Sequence, residues 1–260
     1  YKACYREGYC VYSRTKSQTT NHANKRYIMI ITFISDTHTK HRNITPDLPG
    51  GDMLIHAGDI MNSGYDDNDV YDFLEWFENQ LDKYKSVVFI AGNYDRYFEN
   101  HPGKIKEILA EYPSVTYLQD TPLLYVNEEA TQSCKIYGSP WQPEFYNWAF
   151  NLPRMGDQLK AKWDLIPMNT DILITHGPAW GYVDKVIGQT QNLGCELLAD
   201  RIKVVKPKIH VCGHIHSGHG YVFDGDTHYI NASVLDESYY YNNKPLSVEW
   251  DPKTNELVFL

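Results

Sequence analysis

The sequence predicts a layered α/β sandwich, and three observations carry that expectation. Five short apolar runs rich in Ile and Val recur along the chain, an amphipathic helix separates the second from the third, and the segment from residue 220 onward reads as β-strands. Strands that alternate with helices and then give way to β-rich pieces bury their apolar faces by stacking in layers.

The five runs are YIMIITFIS (27–35), DMLIHAG (52–58), SVVFIAG (86–92), DILIT (171–175) and KIHVCG (208–213). Their length and β-branched content suit strands covered on both faces. Over 67–84, Val70, Phe73, Leu74, Phe77, Leu81 and Tyr84 recur at helical spacing and form one apolar stripe. Asp66, Asp67 and Asp69 suit the positive N-terminus of that helix. Weaker helical patterns lie at 104–112, 157–165 and 194–205. The final segment reads as antiparallel strands, GYVFDG, THYINAS and SVEWDPKTNELVFL, with a turn at Asp251-Pro252-Lys253-Thr254. Neither a repeat nor a long linker interrupts 29–260, so one domain is expected there. Residues 1–28 are rich in Tyr, Lys, Thr and Asn without apolar periodicity. They are expected to be an N-terminal extension without function, with Met29 as the start of the protein proper.

Composition narrows the function classes. A chain of 260 residues, 42% hydrophobic and 22% charged, can bury a full core. No apolar run approaches the ~20 residues of a membrane span, so no membrane partner is expected. The net charge of −9 argues against a stable nucleic-acid complex, which needs a basic face. The five cysteines, at 4, 10, 134, 195 and 212, match no disulfide or zinc spacing and suit a reduced, cytoplasmic setting.

The chemistry lies at the carboxyl end of each apolar run. The first ends in Asp36-Thr37-His38, the second in Gly58-Asp59 and the third in Gly92-Asn93. The fourth ends in His176-Gly177 and the fifth in Gly213-His214-Ile215-His216. Alone, each has an ordinary reading: Asp36 as a helix cap, Gly58-Asp59 and Gly92-Asn93 as turns, His176 as a satisfied core histidine. Five buried strands that all deliver Asp, Asn or His at the carboxyl end point instead to a site, because open α/β sheets bind ligands there. Carboxylate, imidazole and amide donors without thiolate suit Mn, Fe, Zn or Mg. Seven ligands are too many for one ion and fit two that share a carboxylate.

In this order the motifs resemble the calcineurin-like metallophosphoesterase superfamily, over roughly 28–260. LIHAGD, YGSPWQPEFYNWAFNLPR (137–154), DILITHGP and INAS look closest to its metallophosphoesterase-domain-containing branch, related to class III cyclic-nucleotide phosphodiesterases. The resemblance implies a four-layered αββα sandwich with mixed sheets. It implies two divalent metal ions, manganese in vitro with iron, zinc or magnesium as alternatives. One ion would take Asp36, His38 and His216, the other Asn93, His176 and His214, with Asp59 bridging them. The implied reaction is hydrolysis of a small phosphodiester or nucleotide, cyclic nucleotides included, by a metal-bridging hydroxide. A phosphomonoesterase or phosphoprotein phosphatase is the alternative within enzymes.

One residue departs from the pattern. The family places a proton-donating histidine after the metal-ligating asparagine, paired with the next acidic residue; here Tyr94 stands there, followed by Asp95. A phenol with a reference pKa near ~10 is poorly matched to proton transfer at neutral pH. Slowed turnover is therefore expected, and a nucleotide- or metal-binding pseudoenzyme is the alternative from another class. His219, three residues past His216, is the candidate replacement for the missing histidine, with a surface loop histidine as its plain reading. Arg96 and Arg154 are candidate phosphate contacts. The aromatic stretch WQPEFYNWAFNLPR (141–154) reads either as a pocket wall or lid that stacks on a base or as a packed loop over the core, with Trp141, Phe145 and Trp148 expected to be structural. His56 and His210 are expected to be core histidines or supports for the ligands.

Overall fold

The computed structural model describes residues 28–127 and 133–260, with the backbone of two short strands, Cys4–Arg6 and Tyr9–Tyr12. The expectation for the rest of 1–28 lies outside the described residues.

Two mixed sheets lie face to face. The six-stranded sheet runs Leu257–Phe259, Leu246–Trp250, Met29–Ile34, Gly51–His56, Tyr84–Phe89, Val115–Tyr117. Its last four strands are parallel, and the two C-terminal strands close one edge antiparallel. The eight-stranded sheet runs Cys4–Arg6, Tyr9–Tyr12, Thr121–Val126, Ser133–Ser139, Ile172–Thr175, Ile209–Cys212, His228–Asn231, Gly220–Phe223. Its four strands from Ser133–Ser139 to His228–Asn231 are parallel.

Period-2 alternation along each strand sends side chains to two different cores. Ile31, Phe33, Ile55 and Val88 meet Ile172, Ile174, Val211 and Ile230 between the sheets. Their neighbours Ile34, Leu54, Val87 and Phe89 face outward onto Val70, Phe73, Leu74 and Phe77 of helix Asp67–Asn79. On the far side, Tyr137, Leu173 and Tyr229 pack on Leu159 and Trp163 of helix Asp157–Asp164 and on Leu198 and Ile202 of helix Glu196–Val205. Three cores separate four layers, αββα.

The structure corrects the expected elements in a few places. The helix predicted over 67–84 ends at Asn79, and Tyr84 opens the next strand instead of closing the stripe. Its N-cap is Asp66, whose carboxylate accepts from Asn68 N. Strands Val115–Tyr117, Thr121–Val126 and Ser133–Ser139 were not expected, because Pro122, Lys135 and Gly138 interrupt any apolar run there. His228–Asn231 pairs antiparallel with Gly220–Phe223 as expected, but parallel with Ile209–Cys212 on its other side. Within 1–28, Tyr9–Tyr12 pairs with Thr121–Val126.

Candidate metal centre

All five strand ends converge on one edge of the seam between the sheets. Met29–Ile34, Gly51–His56 and Tyr84–Phe89 deliver Asp36, His38, Asp59 and Asn93; Ile172–Thr175 and Ile209–Cys212 deliver His176, His214 and His216. Four of these seven residues have positive φ: Asp36 (54°), His38 (40°), Asp59 (60°) and His214 (67°). That backbone region is costly for side-chain-bearing residues and clusters where function fixes geometry. The glycines beside them have a steric reason. A Cβ on Gly92 would collide with the Asp59 carboxylate, and one on Gly213 with the carboxylate of Asp36 and the hydroxyl of Ser35.

The carboxylates and imidazoles are aimed by fixed partners. Asp36, fully buried, accepts from His214 N at 3.0 Å and from the Ser233 hydroxyl at 2.7 Å. Asp59 Oδ1 accepts from Tyr94 N at 2.7 Å, while its Oδ2 lies 3.3 Å from His176 Nε2 and 3.7 Å from His38 Nε2. Backbone carbonyls orient three rings through Nδ1: Met61 for His38, Ala57 for His176 and Asp236 for His216. An Nδ1–H bound to a carbonyl leaves Nε2 with a free lone pair, the tautomer a metal-ligating histidine needs. Asn93 Oδ1 sits 2.9 Å from His176 Nε2 and 2.7 Å from His214 Nδ1. Ligand atoms of Asp36, His38 and His216 lie within 4.8 Å of one another, as do those of Asp36, Asp59 and His176.

Electrostatics fit a cation here. Burial works against the charged form of Asp36, but the hydrogen bond and charge of His216, backed by His176 and His38, hold its pKa well below the carboxylate range. Burial likewise opposes protonation of His176, yet the charge and hydrogen bond of Asp59 lift it to about 9. His216 rises to about 9 against the same penalty through Asp36. Burial and the neighbouring His176 charge push His214 down to about 4. The two carboxylates thus stabilise positive charge between them. His38 Nε2 is buried with no hydrogen-bond partner among the described residues, an orphan that a divalent cation would satisfy. The donor set and this orphan fit metal binding.

The remaining predicted site residues fall differently. Asp95, the acid that the resemblance pairs with the missing histidine, ties two ligand loops together: its carboxylate accepts from the backbone N–H of Asp59, Ile60, Met61 and Gly92. Four donors favour its charged form, while burial and the Asp59 charge push its pKa up to about 7. Tyr94 lines the cavity beside Asn93, its ring edge-on to His38 at 4.6 Å, stacked on Trp148 at 4.1 Å, and its hydroxyl 2.8 Å from that of Tyr239. His219 turns away: its Nε2 lies 3.1 Å from the Lys244 carbonyl, and it does not line the cavity. Arg96 also lies outside the cavity lining, held over Trp148 at 4.8 Å and bonded to the Asn147 carbonyl. Arg154 reaches the cavity rim, but its guanidinium binds Glu196 at 3.0 Å and the carbonyls of Leu193 and Gly194. Phe145, expected to be structural, is 51% exposed and stands 5.9 Å from the His214 ring. His56 and His210 bond Thr37 and Thr175, the neighbours of ligand residues, and not the ligands themselves.

Tyr239 and Gln142, both on the cavity wall, were missed. Tyr239 has φ 61° in an irregular turn, and its ring packs 5.0 Å from His38. Burial and its bond to Tyr94 push the Tyr239 phenol well above the usual tyrosine range. No helix among the described residues is long and apolar enough to cross a membrane.

A family model described as calcineurin-like phosphoesterase matches residues 29–218. The chain is 42% identical over 231 residues to metallophosphoesterase domain-containing protein 1 of Homo sapiens, and equally to that of Mus musculus, covering 83% of this chain and 69% of each relative. A UPF0046 protein of Caenorhabditis elegans is 36% identical over 236 residues, covering 82% of this chain and 58% of that protein. Among solved structures, TT1561 of Thermus thermophilus superposes with a TM-score of 0.59 at 15% identity, covering 90% of this chain and 99% of that one. At that identity the likeness speaks to the fold alone. With sequence match, fold and convergent ligand set in agreement, the chain belongs to the calcineurin-like metallophosphoesterase family, whose members are metal-dependent phosphoester hydrolases.

Proposed function

We propose that this protein is a dinuclear metal-dependent phosphodiesterase acting on small phosphodiesters, with cyclic nucleotides among its candidate substrates. The observation that carries the reading is the orphaned Nε2 of His38, buried among two carboxylates and oriented imidazoles, in a cluster whose Asp59, Asn93, His214 and His216 line a cavity of about 330 Å³. Asp36, His38 and His216 would hold one divalent ion, Asn93, His176 and His214 a second, with Asp59 between them. Such a pair, when bound, supplies charge neutralisation at a phosphoryl group and acidifies water for in-line attack. Manganese is the ion we would add first, since oxygen and imidazole donors accept it readily.

The chain's own groups favour a diester over a monoester. Glu144 and Glu237 line the cavity against a single arginine, Arg154, which is already paired with Glu196. Among the described lining residues a monoester dianion would find no spare lysine or arginine, whereas a diester carries one negative charge. Two phenols sharing one hydrogen bond, Tyr94 and Tyr239, retain one O–H to donate to a substrate oxygen. A phenol donates without surrendering its proton at neutral pH, so substrates whose leaving group needs no proton should turn over fastest. A binding module without turnover is the second reading, favoured by the commitment of the Tyr94 hydroxyl to Tyr239.

The test is hydrolysis of bis-p-nitrophenyl phosphate by metal-stripped protein with Mn²⁺ added back, wild type beside Asp59→Asn. Metal-dependent release of nitrophenolate that the mutant loses supports the phosphodiesterase. Two bound ions without turnover in the wild type would instead leave a metal-binding module. A parallel monoester, p-nitrophenyl phosphate, separates the two hydrolase classes.

A further inference from the structure

Gln142 sits on the cavity wall with only 1% of its surface exposed, and its side-chain Oε1 has no hydrogen-bond partner among the described residues. A buried carbonyl without a donor is costly, so its direction carries information. A relay sets that direction. The Asn151 Nδ2 donates to the carbonyls of Phe145 at 3.0 Å and Tyr146 at 3.1 Å, which fixes that amide with Oδ1 on its other side. Asn151 and Gln142 are register partners in a two-stranded parallel ribbon, and Gln142 Nε2 donates to Asn151 Oδ1 at 3.2 Å. Flipping either amide would set donor against donor or carbonyl against carbonyl. The chain therefore leaves Oε1, and not the NH₂, as the free polar atom of Gln142. The Cβ of Gln142 lies 3.3 Å from where a side chain on Gly177 would begin, next to the ligand His176.

We propose that Gln142 is a specificity-determining residue whose Oε1 accepts a hydrogen bond from a hydroxyl or N–H group carried by the substrate beside its phosphoryl group. This deepens the phosphodiesterase reading above and rests on it. An ionised phosphate oxygen has no proton to give, so it would repel Oε1, whereas a sugar hydroxyl or a base N–H satisfies it. A site with a committed acceptor discriminates by leaving that acceptor unpaired when the wrong substrate binds. The substrate class this acceptor selects is a nucleoside or polyol phosphodiester, not a simple alkyl or aryl one.

Two substrates with the same leaving group test it. Thymidine 5′-p-nitrophenyl phosphate carries a 3′-hydroxyl and an imide N–H; bis-p-nitrophenyl phosphate carries no donor. The reading is the ratio of their kcat/KM values in wild type, Gln142→Met and Asn151→Leu, with Mn²⁺ present. Gln142→Met is expected to lower that ratio about tenfold, the worth of one hydrogen bond with its buried partner, and Asn151→Leu by less. An unchanged ratio in Gln142→Met, whatever happens to the absolute rates, overturns the proposal, because a residue that only shapes the loop slows both substrates alike. Should wild type hydrolyse neither ester, the phosphodiesterase reading fails first. The amide is then judged by calorimetry with thymidine 5′-phosphate: about tenfold weaker binding to Gln142→Met retains the proposal, and equal binding ends it.

Discussion

The two sheets contribute unlike halves of the metal centre. The six-stranded sheet supplies all the oxygen donors, Asp36, Asp59 and Asn93, with one imidazole, His38; the eight-stranded sheet supplies three imidazoles, His176, His214 and His216. Met61 and Asp236 orient His38 and His216 from within their own sheets, but other bonds that aim these groups cross the seam. The His176 ring hangs on the Ala57 carbonyl, and Asp36 is held by His214 N and by Ser233, each reaching from the opposite sheet. Neither half is therefore oriented by its own sheet alone. Site geometry and sheet–sheet docking are one property, and substitutions should separate chemistry from docking only when they avoid these cross-seam bonds.

The largest effect is expected where both properties meet. His176→Ala removes a ligand and the bond to Ala57 together; metal content should fall from two ions towards one, with turnover down about 10³-fold or more, read by elemental analysis and nitrophenolate release. Ile174, two residues earlier and facing the inter-sheet core, isolates the docking half. Ile174→Ala should cost about 2–5 kcal/mol in urea unfolding through the cavity it leaves. If metal content in that variant nevertheless stays at the wild-type level under native conditions, docking strength and ligand geometry are separable after all. Ser233→Ala removes one cross-seam bond without removing a ligand. Loss of its hydrogen bond to Asp36 should weaken metal affinity about 10–100-fold, measurable by competition with a chelator, and cost about 1–3 kcal/mol in urea unfolding because the bond is buried and spans the seam. The smallest effect belongs to His219→Ala, expected within about twofold of wild type, since that ring bonds Lys244 outside the cavity. A larger drop, selective for poor leaving groups, would restore its candidacy as the replacement for the missing histidine.

The sequence made the same two halves legible to different depths. Ile- and Val-rich runs ending in Asp, Asn or His reveal both which segments are strands and what they deliver, because α/β sheets build their sites outside the carboxyl ends of the strands. All seven expected ligands meet at one place for that reason. The wall of the cavity was legible only as a segment, 141–154, and not residue by residue. Tyr239 stands in an irregular turn and Gln142 in a two-residue strand, where no period-2 or period-3.6 pattern marks direction. The place of Asp95 was not legible either: the motif marks it as an acid without its imidazole, whereas its carboxylate meets four backbone N–H groups that only the folded loops bring together. Arg96 and His219 illustrate the same limit: a charged or titratable residue near a motif points wherever local packing allows.

The seam also fixes when the site can come into being. Met29–Ile34, which carries Asp36 and His38, is flanked on one side by Leu246–Trp250, and the Ser233 that holds Asp36 comes almost as late. During synthesis the first ligands emerge long before the strand that completes their sheet. A nascent chain can thus expose Asp36 and His38 but cannot yet fix them, so the arrangement that captures metal tightly belongs to the finished domain.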